Sequence, residues 1–318
     1  MANRTLAIGS LGARPGEKTD GVNEFQVDGQ PYRLAMWLIN GAQDGPTLLV
    51  TAGVHAAEYA SIAAALDLGR TLDPKTLAGR VVVVPVLNIA GFGVRSIYVS
   101  PLDGKNLNRV FPGNAGGTAS EQVADWLFRN AMQQANYYID LHGGDLIEAL
   151  VPFTIVFKSG NEQVDNASLD MAKVFGIRYL VRSETPGSAY AAATKAGIPS
   201  ILAEAGGQGI WPAEDVTRLR EGVDRVMRHV GILPGPKPGA GAHTLLDRFI
   251  WLRSEHDGFW YPEVSVGDAV KAGQSLGCVK DYEGRVLQAV SAPADGSVLF
   301  LVTSLAINNG DPFLAVGA

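Results

Sequence analysis

The sequence predicts an α/β fold, a mixed and mostly parallel sheet flanked by helices, followed by a small all-β domain. Three observations carry that reading. Near-continuous apolar runs at residues 48–52 and 81–87 enclose a helical stretch near 57–72, the strand-helix-strand pattern of a sheet buried on both faces. Residues 231–241, GILPGPKPGAG, have the composition of a linker. From Ile250 onward, short β-runs alternate with turn signals such as Asp257-Gly258, Lys271-Ala272-Gly273, Asp295-Gly296 and Asn309-Gly310. The expected domains are therefore residues 1–235 and residues 243–318.

Taken in order, residues 24–27 and 32–37 alternate in polarity around Asp28-Gly29, a hairpin signal, so an antiparallel edge opens the sheet. The strand-helix-strand unit follows. From 88 to 117 the pattern stops in a glycine-rich, mixed stretch; a loop of that length in a compact domain more often lines a site than idles. Residues 118–134 read as a helix capped by Thr118 or Ser120, with Val123, Leu127 and Met132 on its apolar face. A strand over 136–142, an extended run over 147–158, a helix over 165–175, a strand over 178–182, a helix over 189–195 and a buried strand over 198–204 come next. Val216, Leu219, Val223, Val226 and Val230 then mark one stripe of a helix over 213–230.

Bulk composition narrows the function. A chain of 318 residues can bury one large core and a smaller one, and 47% hydrophobic against 18% charged residues argues against disorder. With 26 basic and 32 acidic residues, net charge −6 and no basic run, nucleic acid is not an expected partner. No window approaches the ~18 apolar residues of a membrane span. The opening MANRTLAIGSLGARPGEK lacks the apolar core of a signal peptide. A cytoplasmic protein is expected. Its single cysteine, Cys278, excludes an internal disulfide and a cysteine-based zinc knuckle, and reads as an ordinary packed residue.

The chemistry collects at strand ends. His55 and Glu58 fall where the strand passes into the helix, one turn apart, so their side chains share a side. In an open α/β sheet that junction is where ligands bind. His142 closes the apolar strand NYYIDLH, and a His, Glu, His set is the ligand trio of a carboxypeptidase-type catalytic zinc. One Zn2+ per chain, held by His55, Glu58 and His142, is expected. A lone His-x-x-Glu is more often a solvated helix face; the second histidine behind a buried strand turns the reading toward metal. Asp140 and Asp145 flank His142, where one can orient an imidazole; neither is placed among the ligands. His229, His243 and His256 read as surface residues.

Four motifs, VHAAE, DGKNLNRVFPG, IDLH and ILAEAGG, occur in an order that resembles the succinylglutamate desuccinylase and aspartoacylase family, zinc amidohydrolases on a carboxypeptidase-like fold; the likeness covers residues 30–235. The tail, VSVGDAVKAGQSLGCV with VSAPADGSVLFL, resembles the barrel-sandwich module of biotinyl and lipoyl domains, without their carrier lysine, since Lys280 lies in VKDYEG. The resemblance implies zinc on His55, Glu58 and His142, Glu204 as general base and acid, and Asn108 with Arg109 binding the carboxylate of an N-acyl amino acid. It also implies a carbonyl-polarising arginine shortly before the Asn-Arg pair. Tyr98 stands there instead, leaving Arg95 or Tyr98 for that role. The expected activity is removal of an acyl group from an N-acyl amino acid or related small amide. The alternatives are a zinc carboxypeptidase acting on short peptides and a non-catalytic module whose β-domain docks a partner. A homo-oligomer is compatible with either enzyme.

Overall fold

The computed structural model describes residues 4–318. A small hairpin, β1 (Leu6–Ile8) with β2 (Leu11–Ala13), precedes the long antiparallel pair β3 (Glu17–Val27) and β4 (Gln30–Asn40). The expected Asp28-Gly29 turn joins that pair, with φ +48° and +71°, the left-handed conformation a tight hairpin needs. Next come β5 (Gln43–Thr51), α1 (Tyr59–Thr71) and β6 (Ala78–Val84), the predicted parallel unit. The chain continues through α2 (Ile89–Val94), α3 (Ala119–Asn130), β7 (Tyr137–His142), β8 (Glu148–Leu150) and β9 (Phe153–Phe157). It then forms α4 (Glu162–Phe175), β10 (Tyr179–Ser183), α5 (Ala189–Lys195), β11 (Ser200–Glu204), α6 (Ala213–His229) and β12 (Thr244–Leu246).

Nine strands make one sheet in the order β12-β10-β9-β11-β7-β5-β6-β4-β3. Its centre is parallel: β6, β5, β7 and β11 all run the same way. Both faces are covered, which is why these strands read as unbroken apolar runs. Leu48, Val50, Val81, Val83, Ile139 and Leu141 pack under α1, α4 and α6, whereas Leu49, Val82, Val84 and Tyr138 pack under α3 and α5. Successive side chains of one strand thus enter opposite cores.

Three readings need correction. The stretch 88–117 is not wholly irregular, because Asn88 Oδ1 accepts the Gly91 N–H and caps the short helix α2. The run over 147–158 is two strands in different sheets: Pro152, lacking an N–H, interrupts it between β8 and β9. Past the linker, Thr244–Leu246 returns to the large sheet as its edge, parallel to β10.

The remaining strands, β13 (Phe249–Arg253), β14 (Gly258–Pro262), β15 (Ala269–Val270), β16 (Ser275–Lys280), β17 (Val286–Ser291), β18 (Gly296–Val302), β19 (Ala306–Ile307) and β20 (Pro312–Gly317), build the all-β module. One of its sheets runs β13-β20-β18-β15, the other β17-β16-β14-β19. Trp260 stacks on Phe313 at 4.5 Å between ring centres inside their shared core. The module does not merely trail the large sheet. β8 adds to the free edge of β18, pairing Glu148 with Val302, Ala149 with Leu301 and Leu150 with Phe300. Leu299 is buried among Phe153, Tyr179, Val181 and Leu246, so apolar packing backs the shared strand.

Candidate metal centre and its surroundings

The site stands at the carboxyl ends of β5, β7 and β11. β5 ends at Thr51, and the chain turns at Gly53, whose φ is +61° and whose missing Cβ would lie 2.9 Å from the Val86 backbone. Only glycine fits that turn without strain. It delivers His55 to the mouth of the sheet and Glu58 to the N-cap of α1. The carboxylate of Glu58 does not cap its own helix. Its Oε1 lies 2.7 Å from His55 Nδ1, its Oε2 2.8 Å from His142 Nδ1, and Oε2 also accepts the Gly143 N–H at 3.1 Å.

His55, Glu58 and His142 therefore converge, with one ligand atom from each lying within 4.8 Å of the others. The far side of each ring is also held. His55 Nε2 lies 3.1 Å from Asn106 Oδ1, and His142 Nε2 lies 3.2 Å from Asp140 Oδ2. With Nε2–H donating to Asn106 Oδ1, the Nδ1 lone pair of His55 points inward, the tautomer a metal ligand requires, and the Asp140 carboxylate beside His142 Nε2 favours the same tautomer there by its charge. Asp140 is itself fixed by the Thr51 hydroxyl, which donates to Oδ1 at 2.7 Å. The donor set fits a divalent ion, and zinc suits two imidazoles and one carboxylate.

Charge is tightly balanced around this point. Burial pushes Glu58 up, but the two imidazoles outweigh it and hold the carboxyl at about 2. Burial pushes His142 down, yet Glu58 and Asp140 raise it well above the ordinary imidazole value. Glu204 ends β11 in register with His142, on the adjacent strand. Burial, reinforced by the charge of Glu58, raises its carboxyl well above the usual range, and its Oε2 is buried without a hydrogen-bond partner. Burial and the same charge raise Asp145 to about 7. Glu148 reaches about 8, its burial outweighing the hydrogen bond from the Asp145 N–H.

The other expected residues divide. Tyr98 sets its ring edge-on to His55 at 6.1 Å, while its N–H donates to Asp145 Oδ2 at 3.3 Å. Asn108 is buried behind the centre: its Oδ1 accepts the Ala189 N–H at 2.9 Å, and its Nδ2 lies 3.4 Å from His142 Nε2. Arg109 is exposed beside it, with Nη1 donating to the Asn108 carbonyl at 2.7 Å. Arg95 stands exposed at the C-terminus of α2, and no contact among the described residues ties its guanidinium to the centre. Two participants escaped the sequence reading. Asn106 lies within the DGKNLNR motif two residues before Asn108, a detectable signal. Glu148 sits in an ordinary-looking strand, and no pattern marks it.

The model of the succinylglutamate desuccinylase/aspartoacylase catalytic domain matches residues 44–230. The N-alpha-acetyl-L-2,4-diaminobutyric acid deacetylase of Halomonas elongata is 30% identical over 282 residues, spanning 86% of this chain and 82% of that protein. The product-bound structure of the ectoine utilization protein EutE (DoeB) from Ruegeria pomeroyi superposes with a TM-score of 0.86 at 25% identity, over 100% of each chain. A succinylglutamate desuccinylase/aspartoacylase structure from Rhodobacter sphaeroides gives 0.84 at 24% identity over 94% of each chain, a likeness of fold. With strand order, metal-competent trio and family match in agreement, the chain belongs to the succinylglutamate desuccinylase/aspartoacylase family.

Proposed function

We propose that this protein is a zinc-dependent amidohydrolase that removes the acyl group from an N-acyl amino acid. The convergence of His55, Glu58 and His142 beside the unpartnered carboxyl of Glu204 carries the reading. Zinc on that trio would supply a Lewis acid for the amide carbonyl and depress the pKa of water toward about 7. The protein's own groups supply the rest. Glu204 takes a proton from the attacking water and passes it to the departing amine nitrogen, a transfer its buried Oε2 is free to make. Asn106, through its hydrogen bond to His55, and Asp140, through its charge beside His142 Nε2, favour the ligating tautomer of each imidazole. Tyr98, whose ring lies 6.1 Å from that of His55, would meet the carbonyl oxygen, the role the family gives to arginine. Arg109, with its fork of donors, is the anchor for the substrate carboxylate, and buried Asn108 braces the turn that presents it.

The relative from Halomonas elongata is named for N-alpha-acetyl-L-2,4-diaminobutyric acid, which makes that compound the first substrate to test. We propose that the chemistry resides in residues 1–235, that residues 243–318 support it, and that the enzyme works on small molecules in the cytoplasm. No helix among the described residues is long and apolar enough to cross a membrane. The decisive experiment loads the protein with zinc and follows release of acetate, succinate or formate from N-acyl amino acids, with di- and tripeptides in parallel. Faster cleavage of the peptides would overturn the deacylase reading in favour of a carboxypeptidase. Absence of bound metal would remove the mechanism.

A further inference from the structure

The loop from β7 to β8 forms a wall of the centre that the chemistry above does not use. Asp145 lies in it and Glu148 begins β8; both are buried, Asp145 completely and Glu148 at 3% exposure. Their geometry is fixed. The Asp145 N–H donates to Glu148 Oε2 at 2.8 Å, and Asp145 Oδ2 accepts from Tyr98, whose ring faces His55. Gln208 N–H donates at 2.9 Å to the carbonyls of both residues, locking the loop against the segment after β11. One oxygen of each carboxyl, Asp145 Oδ1 and Glu148 Oε1, is left buried with no hydrogen-bond partner.

No lysine or arginine among the described residues forms an ion pair with either group. A second metal does not account for them, because the trio on Glu58 is the one set of three ligand atoms that comes together among the described residues. Burial sharpens the need, since both free oxygens are closed off from solvent. What these oxygens lack is a donor, and a group carrying several N–H donors together with a positive charge satisfies two buried carboxyls at once.

We propose that Asp145 and Glu148 form an ammonium subsite, making the preferred substrate an N-acyl amino acid whose side chain ends in a protonated amine. The inference rests on the deacylase reading and goes beyond it by naming the specificity-determining residues. Arg109 holds the substrate carboxylate, and the acidic wall beside Tyr98 and His55 holds the side-chain amine. A neutral side chain of equal length leaves both oxygens unpaired, the circumstance in which an enzyme rejects a near-isostere most strongly.

The test compares zinc-loaded protein on Nα-acetyl-2,4-diaminobutyrate and Nα-acetylnorvaline, which replaces the terminal ammonium with a methyl. The cationic substrate is expected to win by on the order of 100-fold or more in kcat/KM, within the range a site built for a polar group achieves. Glu148→Gln and Asp145→Asn should each cut that ratio at least tenfold, through a raised KM for the cationic substrate. As a readout independent of turnover and of variant folding, calorimetric titration of the wild-type protein should show tighter binding of 2,4-diaminobutyrate than of norvaline. Equal kcat/KM for the two substrates, equal binding of the two amino acids, or a ratio untouched in folded, zinc-loaded variants would each overturn the subsite. Failure to hydrolyse any N-acyl amino acid would instead overturn the deacylase reading beneath it.

Discussion

At the residue scale, the centre is defined by what each carboxylate has been freed to do. Glu58 occupies a helix N-cap yet gives both oxygens to histidines, and Asp140, buried on a strand, accepts from a threonine and sets its other oxygen 3.2 Å from an imidazole. Replacing Asp140 with asparagine keeps its shape while weakening its pull on the Nε2 proton. Zinc affinity should fall by about 10–100-fold, read by competition with a chromophoric chelator. Unchanged affinity would demote Asp140 to packing. For Glu204→Gln, kcat should drop by about 10²–10⁴-fold at full zinc occupancy, the range for losing a general acid-base group. Glu148 adds a pH signature in metal-free protein. Its carboxyl sits at about 8, against an ordinary value of 4.5, so the folded state keeps a proton that the unfolded chain releases between those limits. Stability contributed by Glu148 is therefore greatest below pH 4.5 and declines as pH rises toward 8, after which it is constant. Urea midpoints measured across that window should slope downward in wild type and less steeply in Glu148→Gln; identical slopes would contradict the assignment.

At the scale of elements, the sequence disclosed the strands and helices whose apolar pattern has one cause. The runs at 48–52 and 81–87 read as two-faced strands and the stripe through Leu219, Val223 and Val226 as one helix face; both elements form, with the second strand ending at Val84 rather than Leu87. α2 was hidden because Gly91 and Gly93 break any helical pattern over six residues, and its stability comes from the Asn88 cap and packing, neither visible as periodicity. That β8 is a strand of its own was hidden because its partner lies 150 or more residues later, with Val302 paired to Glu148. The metal trio was legible because each ligand ends a recognisable element, whereas Asp145 and Glu148 act through tertiary neighbours. Gly222 offers a test of packing against propensity. It lies on α6 with the Phe175 ring of α4 in the space its Cβ would fill. Gly222→Ala gains about 1 kcal/mol in helix propensity. Against it stands about 1–3 kcal/mol of overpacking, because Phe175 is itself buried and cannot withdraw. The variant should melt below wild type with kcat unaltered; a higher Tm would mean that the α4–α6 contact yields.

For the whole molecule, the shared edge of β8 and β18 unites what the linker composition separates. Leu299 of the module is buried among side chains of the large sheet, and Val151 N–H and Thr303 N–H add hydrogen bonds across the join, to Leu299 and Ile147 carbonyls. Units joined through a β-ladder and an apolar cluster should unfold together. Scanning calorimetry of the metal-free protein should give one endotherm, and two well-separated endotherms would show that the join is weaker than its packing implies.

That ladder also sets an order on biosynthesis. Translation yields His55, Glu58, His142 and Glu204 long before Gly296–Val302 emerges from the ribosome. A nascent polypeptide can bring the His55, Glu58 and His142 side chains together while the strand bearing Glu148 still has an open side. The wall proposed to hold the substrate amine is closed only when β18, made after all four of those residues, pairs with β8.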